Sequence, residues 1–378
     1  MRVLLIGTFE TKGEELRYLA QAMERHGLAI EMVDVSLGAG GTVLSGAQKL
    51  ARMAERAETA ARNMAERCED CGVAVGLGGG TGGEIVLQAL KGLPAVFPKF
   101  LVTTMAFDPR EAVADTAITL IPTLCDIEGL NASLRQVFEN AAGMVAGLYK
   151  SHIVARSDKL SVAITTLGAT GPAGSGVVRA LADHGCEATV FHANGYGGAA
   201  FARFVAEARV DAVVDLNVHE LGRQRLAGAH VPMPTRFSCA RDVPRVVLPG
   251  GLNFIGLGRI ETVEPSHLAR PHYRHSRLFT HVKLTADEMA GQAAWLADEL
   301  NQSTAPCHVI LPMGGFSHED RAGGAIEDPE LREIAAEILT RVARAYSVEP
   351  LPDHINAPPV SQAVAARLMA ALHQKESA

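Results

Sequence analysis

Aromatic side chains are scarce: they make up 5% of the 378 residues, with a single tryptophan. Base-stacking nucleic-acid modules depend on aromatic platforms, so that class has little to work with here. Positive charge is not in excess either, since 35 lysines and arginines face 42 acidic residues for a formal net charge of −7. A chain of this balance lacks the basic face that broad nucleic-acid binding requires. Six cysteines in a chain of this length exclude a disulfide scaffold. Cys68 and Cys71 have CxxC spacing, but no second pair accompanies them, which argues against a zinc site. No apolar run approaches the roughly 18 residues of a membrane span, and a signal-peptide layout is missing from the start. No nucleic-acid partner, no membrane partner and a reducing cytoplasm are therefore expected.

Glycine is what the chain does have, and it is concentrated. Gly76-Leu77-Gly78-Gly79-Gly80-Thr81-Gly82-Gly83 contains six glycines in eight residues. An apolar run over 72–77 predicts a buried strand before it, and 84–91 predicts the helix after it. Bare main-chain amides in front of a helix N-terminus form an anion site, and a phosphate chain is the natural guest. The competing reading is a flexible strand–helix connection. Gly78, Gly80 and Gly83 satisfy a dinucleotide spacing, but two strand–helix units precede them and no acidic residue closes a second strand about 20 residues on. No Lys-Ser or Lys-Thr pair follows, so the turn is not a Walker A loop. A nucleotide or a phosphorylated metabolite is the ligand class.

Strand and helix patterns alternate through 1–150: strands at 2–6, 29–35, 101–105 and 117–120, helices at 11–26, 45–67 and 130–149. A polar stretch, 152–159, reads as a linker. The alternation restarts with strands at 161–165, 188–192, 211–216, 246–248 and 309–311, and helices at 285–300, 329–346 and 360–372. The last helix is expected to pack back across both domains. This order predicts two doubly wound, mostly parallel α/β (Rossmann-like) domains, 1–155 and 156–378, facing each other across a cleft. Ligands on such sheets lie beyond the carboxyl ends of the strands. In the first domain that rim gathers Gly7, Thr8, Thr11, Lys12 and the glycine octet. Lys12 can neutralise a phosphate, Thr8 and Thr11 offer hydroxyls, and Thr11 with Glu14 also fits a helix capping box. Glu84 is either a complement to the helix dipole or a ligand for magnesium or ribose.

In the second domain the groups with acid–base chemistry are His192, Asp215, Glu220, Asp320, His318 and His354, with Ser317 beside the amides of Gly314 and Gly315 as an anion site. Ser317 is not in a Gly-x-Ser-x-Gly elbow, so a serine hydrolase is not expected. His272, His275 and His281, with Arg274, Arg277 and Lys283, form a histidine-rich patch. A metal site, an anionic-substrate patch and a dimer seam all remain open for it.

Gly7-Thr8 with Thr11-Lys12, the octet, Thr104-Met105-Ala106, the run from Asp126 to Asn131, the run from Phe191 to Gly198, Arg236, Gly315-Phe316-Ser317 with Asp320, and His354-Ile355-Asn356 follow one another in a familiar order. The chain resembles, over nearly its whole length, the two-domain ATP-binding family typified by the tomato mosaic virus resistance protein. The resemblance implies ATP and magnesium on the first domain, contacted by Gly78, Gly79, Gly80, Thr81, Gly82, Gly83 and Thr104, and a homodimer. It also implies a possible partner, a separate barrel protein resembling the phosphoenolpyruvate mutase superfamily. Phe107-Asp108-Pro109, Asn194, Ala200-Phe201 and Ala357 depart from the family pattern. The expectation is an ATP-dependent enzyme performing phosphoryl or adenylyl transfer on a small carboxylated or phosphorylated substrate. That substrate would be held by Asn194, Gly197, Gly198, Arg236, Gly314, Gly315 and Ser317. A nucleotide-responsive binding protein, and an ATP-independent lyase or hydrolase using the second domain, are the alternatives.

Overall fold

The computed structural model describes residues 2–38, 44–106, 108–148, 157–208 and 210–376. The chain forms two compact units, Met1–Ala155 and Arg156–Ala378. The linker expected at 152–159 falls mostly outside the described residues, and Gly40, Gly41 and Phe107 fall wholly outside them.

The first unit contains β1 (Arg2–Gly7), α1 (Phe9–Glu24), β2 (Ala29–Asp34), α2 (Gly46–Arg67), β3 (Val73–Gly78), α3 (Gly80–Lys91), β4 (Lys99–Thr103), α4 (Pro109–Val113), β5 (Ile118–Pro122) and α5 (Ala132–Leu148). The strands form one parallel sheet in the order β2-β1-β3-β4-β5. Apolar residues run without interruption along β1 because both sheet faces are covered. Val3 and Leu5 pack on α1 and α5 through Leu16, Leu19 and Phe138, while Leu4 and Ile6 pack on α2 and α3 through Met53, Val86 and Leu90.

The second unit contains β6 (Leu160–Thr166), α6 (Gly171–Asp183), β7 (Cys186–His192), α7 (Gly197–Glu207), β8 (Ala212–Asp215), α8 (Glu220–Arg225), β9 (Arg245–Val247), β10 (Phe254–Leu257), α9 (Pro265–Leu268), β11 (His272–Arg274), β12 (Thr280–Lys283), α10 (Ala286–Leu300), β13 (Cys307–Pro312), α11 (Pro329–Arg341), β14 (Ser347–Leu351) and α12 (Pro358–Glu376). Six parallel strands run in the order β14-β13-β9-β8-β6-β7, and β10-β12-β11 make a separate antiparallel sheet. Both parallel sheets are doubly wound. The strand order turns back between β1 and β3 in the first unit and between β6 and β8 in the second, and crevices for ligands open at such switch points.

Several boundaries differ from expectation. Helix α1 starts at Phe9 with Thr8 as its N-cap, so Thr11 lies inside the first turn and makes no capping box with Glu14. Helix α3 starts at Gly80, within the octet, because small residues after a strand let the first turn close directly on the sheet. Helix α11 stops at Arg341, five residues short of the expected end at 346, and Ser347–Leu351 forms an edge strand that the sequence pattern did not predict. Helix α12 packs on α6 and on the β8, β9 and β13 side of its own sheet, through Val360, Val364 and Leu368. The histidine-rich stretch becomes the antiparallel strands β11 and β12, short runs too weakly patterned to be read as strands.

Candidate functional site

At the β1/β3 switch point lies a cleft of about 530 Å³ lined by Thr8, Thr11, Lys12, Gly79, Gly80, Thr81, Gly82, Asp126 and Glu128. The glycines of the octet divide into two groups. A Cβ on Gly78 would sit 2.5 Å from the Gly83 nitrogen, and one on Gly76 would sit 2.3 Å from Val86, so these serve close strand–helix packing. A Cβ on Gly80 would meet nothing within 4 Å. Gly79 is the N-cap of the 12-residue helix α3 and no side chain caps it, so the amides of the first turn face the cleft without an internal partner. Gly79 looks toward Thr104 Oγ1 and Asp126 Oδ1, 3.6 and 3.8 Å from its ideal Cβ position. Thr8 and Thr11 share a hydroxyl–hydroxyl bond of 2.9 Å.

Two lysines reach the same cleft. Lys12 Nζ pairs with Glu128 at 2.9 Å, and Lys49, from α2, donates to Thr81 Oγ1 at 2.9 Å. Sequence reasoning named Lys12 but missed Lys49, which stands more than 30 residues from the turn and is brought there only by the packing of α2 on α3. Glu84 is not part of the cleft. It lines a separate groove between α2 and α3 with Leu50, Met53 and Gln88. Gly7 likewise serves packing, since a Cβ there would press on Leu16 at 2.8 Å. No group of three or more His, Cys, Asp or Glu side chains able to hold a metal occurs among the described residues.

The second unit places its expected site residues differently. Asp215 is fully buried and paired with Arg236 Nη2 at 2.7 Å and Arg245 Nε at 3.3 Å. Glu220 pairs with Arg236 Nε at 3.1 Å and accepts the amides of Gly195 (3.1 Å) and Gly198 (2.8 Å). The Asn194–Gly198 loop, read from sequence as a substrate cradle, is thus filled by the protein's own carboxylate. A Cβ on Gly198 would lie 2.1 Å from Glu220 Oε2, and one on Gly197 would lie 2.2 Å from the His192 carbonyl. Arg236 is 3% exposed and committed to these two acids, so it is a strut rather than a substrate contact.

Asp320 is equally committed. Its oxygens accept from the amides of Phe316 (2.8 Å) and Asp328 (3.0 Å) and from Arg332 (2.7 Å), while burial pushes its pKa up to about 6. The amides of Gly314 and Gly315 donate to Asp353 and Pro312 carbonyls, both at 3.0 Å, and Ser317 is wholly buried. That trio does not form the open anion site expected of it. His354 spans Ser317 and Asn356: its Nε2 lies 2.9 Å from the Ser317 carbonyl, and its Nδ1 accepts from the Asn356 amide at 3.1 Å. His192 stays exposed at the end of β7, and its pKa is lowered by partial burial.

The β6/β8 switch point holds residues that the sequence singled out only in part. His275 and Phe254 stack on His281 with ring centroids 4.5 and 4.3 Å away, and His219 tilts against Phe254 at 4.5 Å, 6.2 Å from His281. Tyr273 hydroxyl lies 2.7 Å from His281 Nδ1. His219 places Nδ1 3.1 Å from the Gly251 carbonyl and accepts from Arg223 Nε at 3.2 Å, which fixes its tautomer with the proton on Nδ1. Burial drives the pKa of His219 down to about 3 and that of His281 to about 2, so both rings are neutral near pH 7. Arg223 and His219 were missed. Their four-residue spacing on one helix face is the signal that could have found them.

Residues 159–372 match the Uncharacterised protein family (UPF0261) C-terminal domain, and residues 42–153 match the N-terminal domain of the same family. The chain belongs to the UPF0261 family. A UPF0261 protein of Rhizobium meliloti (strain 1021) is 32% identical, over 97% of this chain and 98% of its own length. The ToMV resistance protein Tm-1(GCR237) of Solanum lycopersicum is 30% identical, over 75% of this chain and 39% of its own length. Among solved structures, a C2-type ketoreductase from a modular polyketide synthase aligns over 92% of this chain and 79% of its own at 16% identity. Its TM-score of 0.23 is too low to bear on function. No helix among the described residues is long and apolar enough to cross a membrane.

Proposed function

We propose that this UPF0261 protein binds a nucleoside triphosphate, ATP in the first instance, with the polyphosphate on the N-terminal turn of α3. The observation that carries this reading is the uncapped turn at Gly79–Gly82, open to a cleft of about 530 Å³ that two lysines reach. A helix N-terminus presents aligned amides and the positive end of the helix dipole to an anion, and Lys12 and Lys49 supply full charges beside it. Thr8, Thr11 and Thr81 offer hydroxyl donors, and glycines at 79, 80 and 82 let phosphate oxygens approach the main chain. Asp126 and Glu128 are the carboxylates on the cleft that would hold magnesium, usually bound through one or two carboxylates and the phosphates themselves. Magnesium, when bound, neutralises phosphate charge.

In this reading the protein is an enzyme of small-molecule metabolism that transfers a phosphoryl or adenylyl group to a small anion. Support comes from the concentration of histidine, arginine and tyrosine at the second switch point, which a simple nucleotide sensor has no need to build. The decisive experiment is calorimetric titration with ATP and magnesium of the full chain and of Gly79→Asp. The substitution puts a carboxylate in front of the turn amides. We expect saturable binding lost by at least about tenfold in the variant, the magnitude of removing charge-assisted bonds. Absence of binding to the unaltered protein, or equal binding to both, rejects the assignment.

A further inference from the structure

We infer that the β6/β8 crevice is a binding site for the carboxylate of a small monoanionic ligand, held by the guanidinium of Arg223 beside His192 and His275. The inference stands apart from the nucleotide reading, because it uses none of the residues of the first unit.

Arg223 is 5% exposed, yet no carboxylate pairs with it among the described residues. Its Nε donates to His219 at 3.2 Å and its Nη1 to the Ala229 carbonyl at 2.9 Å, both neutral acceptors, while Nη2 has no hydrogen-bond partner among the described residues. Burying a guanidinium without a counter-charge is costly, so the fold keeps such a group where something else supplies the charge. The charges around it confirm the surplus. Arg236 and Arg245 are paired with Asp215 and Glu220, two charges against two; Glu220 also attracts Arg223, but no ion pair or hydrogen bond joins them among the described residues.

Room has been made for this side chain. Cβ atoms on Gly256, Gly228 and Gly195 would come within 2.5, 3.2 and 2.9 Å of Arg223 atoms, so three glycines shape its channel. The ring of His275 lies over Gly168, in the loop after β6, 3.9 Å from that glycine's ideal Cβ position. His219 lies in the loop after β8. The group therefore sits on both sides of the crevice where open α/β sheets take ligands.

The choice of a monoanion follows from the balance of charge. His219 and His281 are held neutral by burial, and His192 is pushed in the same direction. One positive charge with imidazole donors and acceptors around it matches a carboxylate better than a dianionic phosphate.

The test uses the full chain, sodium acetate and inorganic phosphate as separate probes, with chloride added to hold ionic strength constant. Acetate is expected to shift the ring-proton resonances of His192 and His275, and the Arg223 Nε–H resonance, to saturation. Phosphate at equal concentration should shift them less. Arg223→Gln should weaken acetate binding at least about tenfold while Arg223→Lys retains part of it. Gly79→Asp should leave acetate binding unchanged, which separates failure here from failure of the nucleotide assignment. If Arg223→Gln does not fold, the Arg223 Nε–H shift in the unaltered protein decides alone. Lack of a saturable shift, phosphate binding as tightly as acetate, or an unchanged affinity in folded Arg223→Gln each overturns the inference.

Discussion

The two switch-point crevices share a topology and solve opposite problems. Between β1 and β3 the polar groups are at the surface: Asp126 and Glu128 are exposed, Lys12 is partly so, and the helix turn has no cap of its own. Between β6 and β8 they are interior: Asp215, Glu220 and Arg236 are each at most 3% exposed, and the glycine turn at the start of α7 is filled by Glu220. A glycine-rich turn after a strand is thus an anion site only when the protein has not supplied the anion itself. In the first unit no side chain caps the turn, whereas in the second the proposed ligand group is Arg223.

The largest effect expected from breaking this contrast is on stability. Removing Asp215 leaves Arg236 and Arg245 buried against one remaining acid, so Asp215→Ala should cost about 3–5 kcal/mol, whereas Asp126→Ala, at an exposed position, should stay within about 0.5 kcal/mol. Urea unfolding of the two variants measures both. Equal losses would show that the second network is not interior in solution. Next comes close packing within the octet. Gly78→Ala forces a methyl against the Gly83 backbone and should cost up to about 3 kcal/mol, while Gly80→Ala meets no neighbour and should be near neutral in stability. Thermal melts of this pair separate the packing glycines from those that face the cleft.

That division was beyond the reach of the sequence, which presents the octet as one uniform run. The alternation of strands and helices was legible because each strand is a short apolar run and each helix carries its own period, and Val3 to Ile6 announce a sheet covered on both faces. The glycine turn was legible for the same reason. Arg236, however, was read as a substrate group and Glu220 as an acid–base group, because a polar residue after a strand looks alike whether it points to solvent or to a partner 16 residues away in the chain. Lys49 and Arg223 were invisible in another way. Their meaning depends on which neighbours they lack, and only packing reveals that.

A smaller effect, in pH, tests whether the histidine column is as enclosed as its stacking implies. His219 and His281 have folded pKa values below the unfolded value near 6.5. The unfolded chain therefore binds more protons below that pH, so their contribution to stability is whole above about 6.5 and is lost as pH falls toward the folded values. The loss approaches about 1.4 kcal/mol per pH unit for each ring. Asp320, raised to about 6, acts in the opposite direction, since its contribution is present at low pH and lost as pH rises. The clean measure is a difference: His281→Gln should reduce the fall in urea stability between pH 6.5 and 5.5 by about 1 kcal/mol relative to the unaltered chain. An identical pH profile would mean that water reaches the column.

The smallest expected change sharpens the open crevice. Glu128 is the partner of Lys12 and is largely exposed, with 81% of its side-chain surface accessible. A surface ion pair of this kind contributes little, so Glu128→Gln should alter stability by no more than about 0.5 kcal/mol. Its effect on ligands should be larger and of a definite sign. With the carboxylate gone, Lys12 is released toward the α3 turn and one repulsive charge leaves the cleft, so a simple anion without magnesium should bind more tightly. ATP with magnesium should gain less, or lose, if Glu128 helps to hold the ion. Titrating tripolyphosphate alone and then ATP with magnesium into Glu128→Gln reads the two contributions separately. A gain for both would leave Asp126 as the carboxylate facing the metal, and no gain for tripolyphosphate would place the anion away from Lys12.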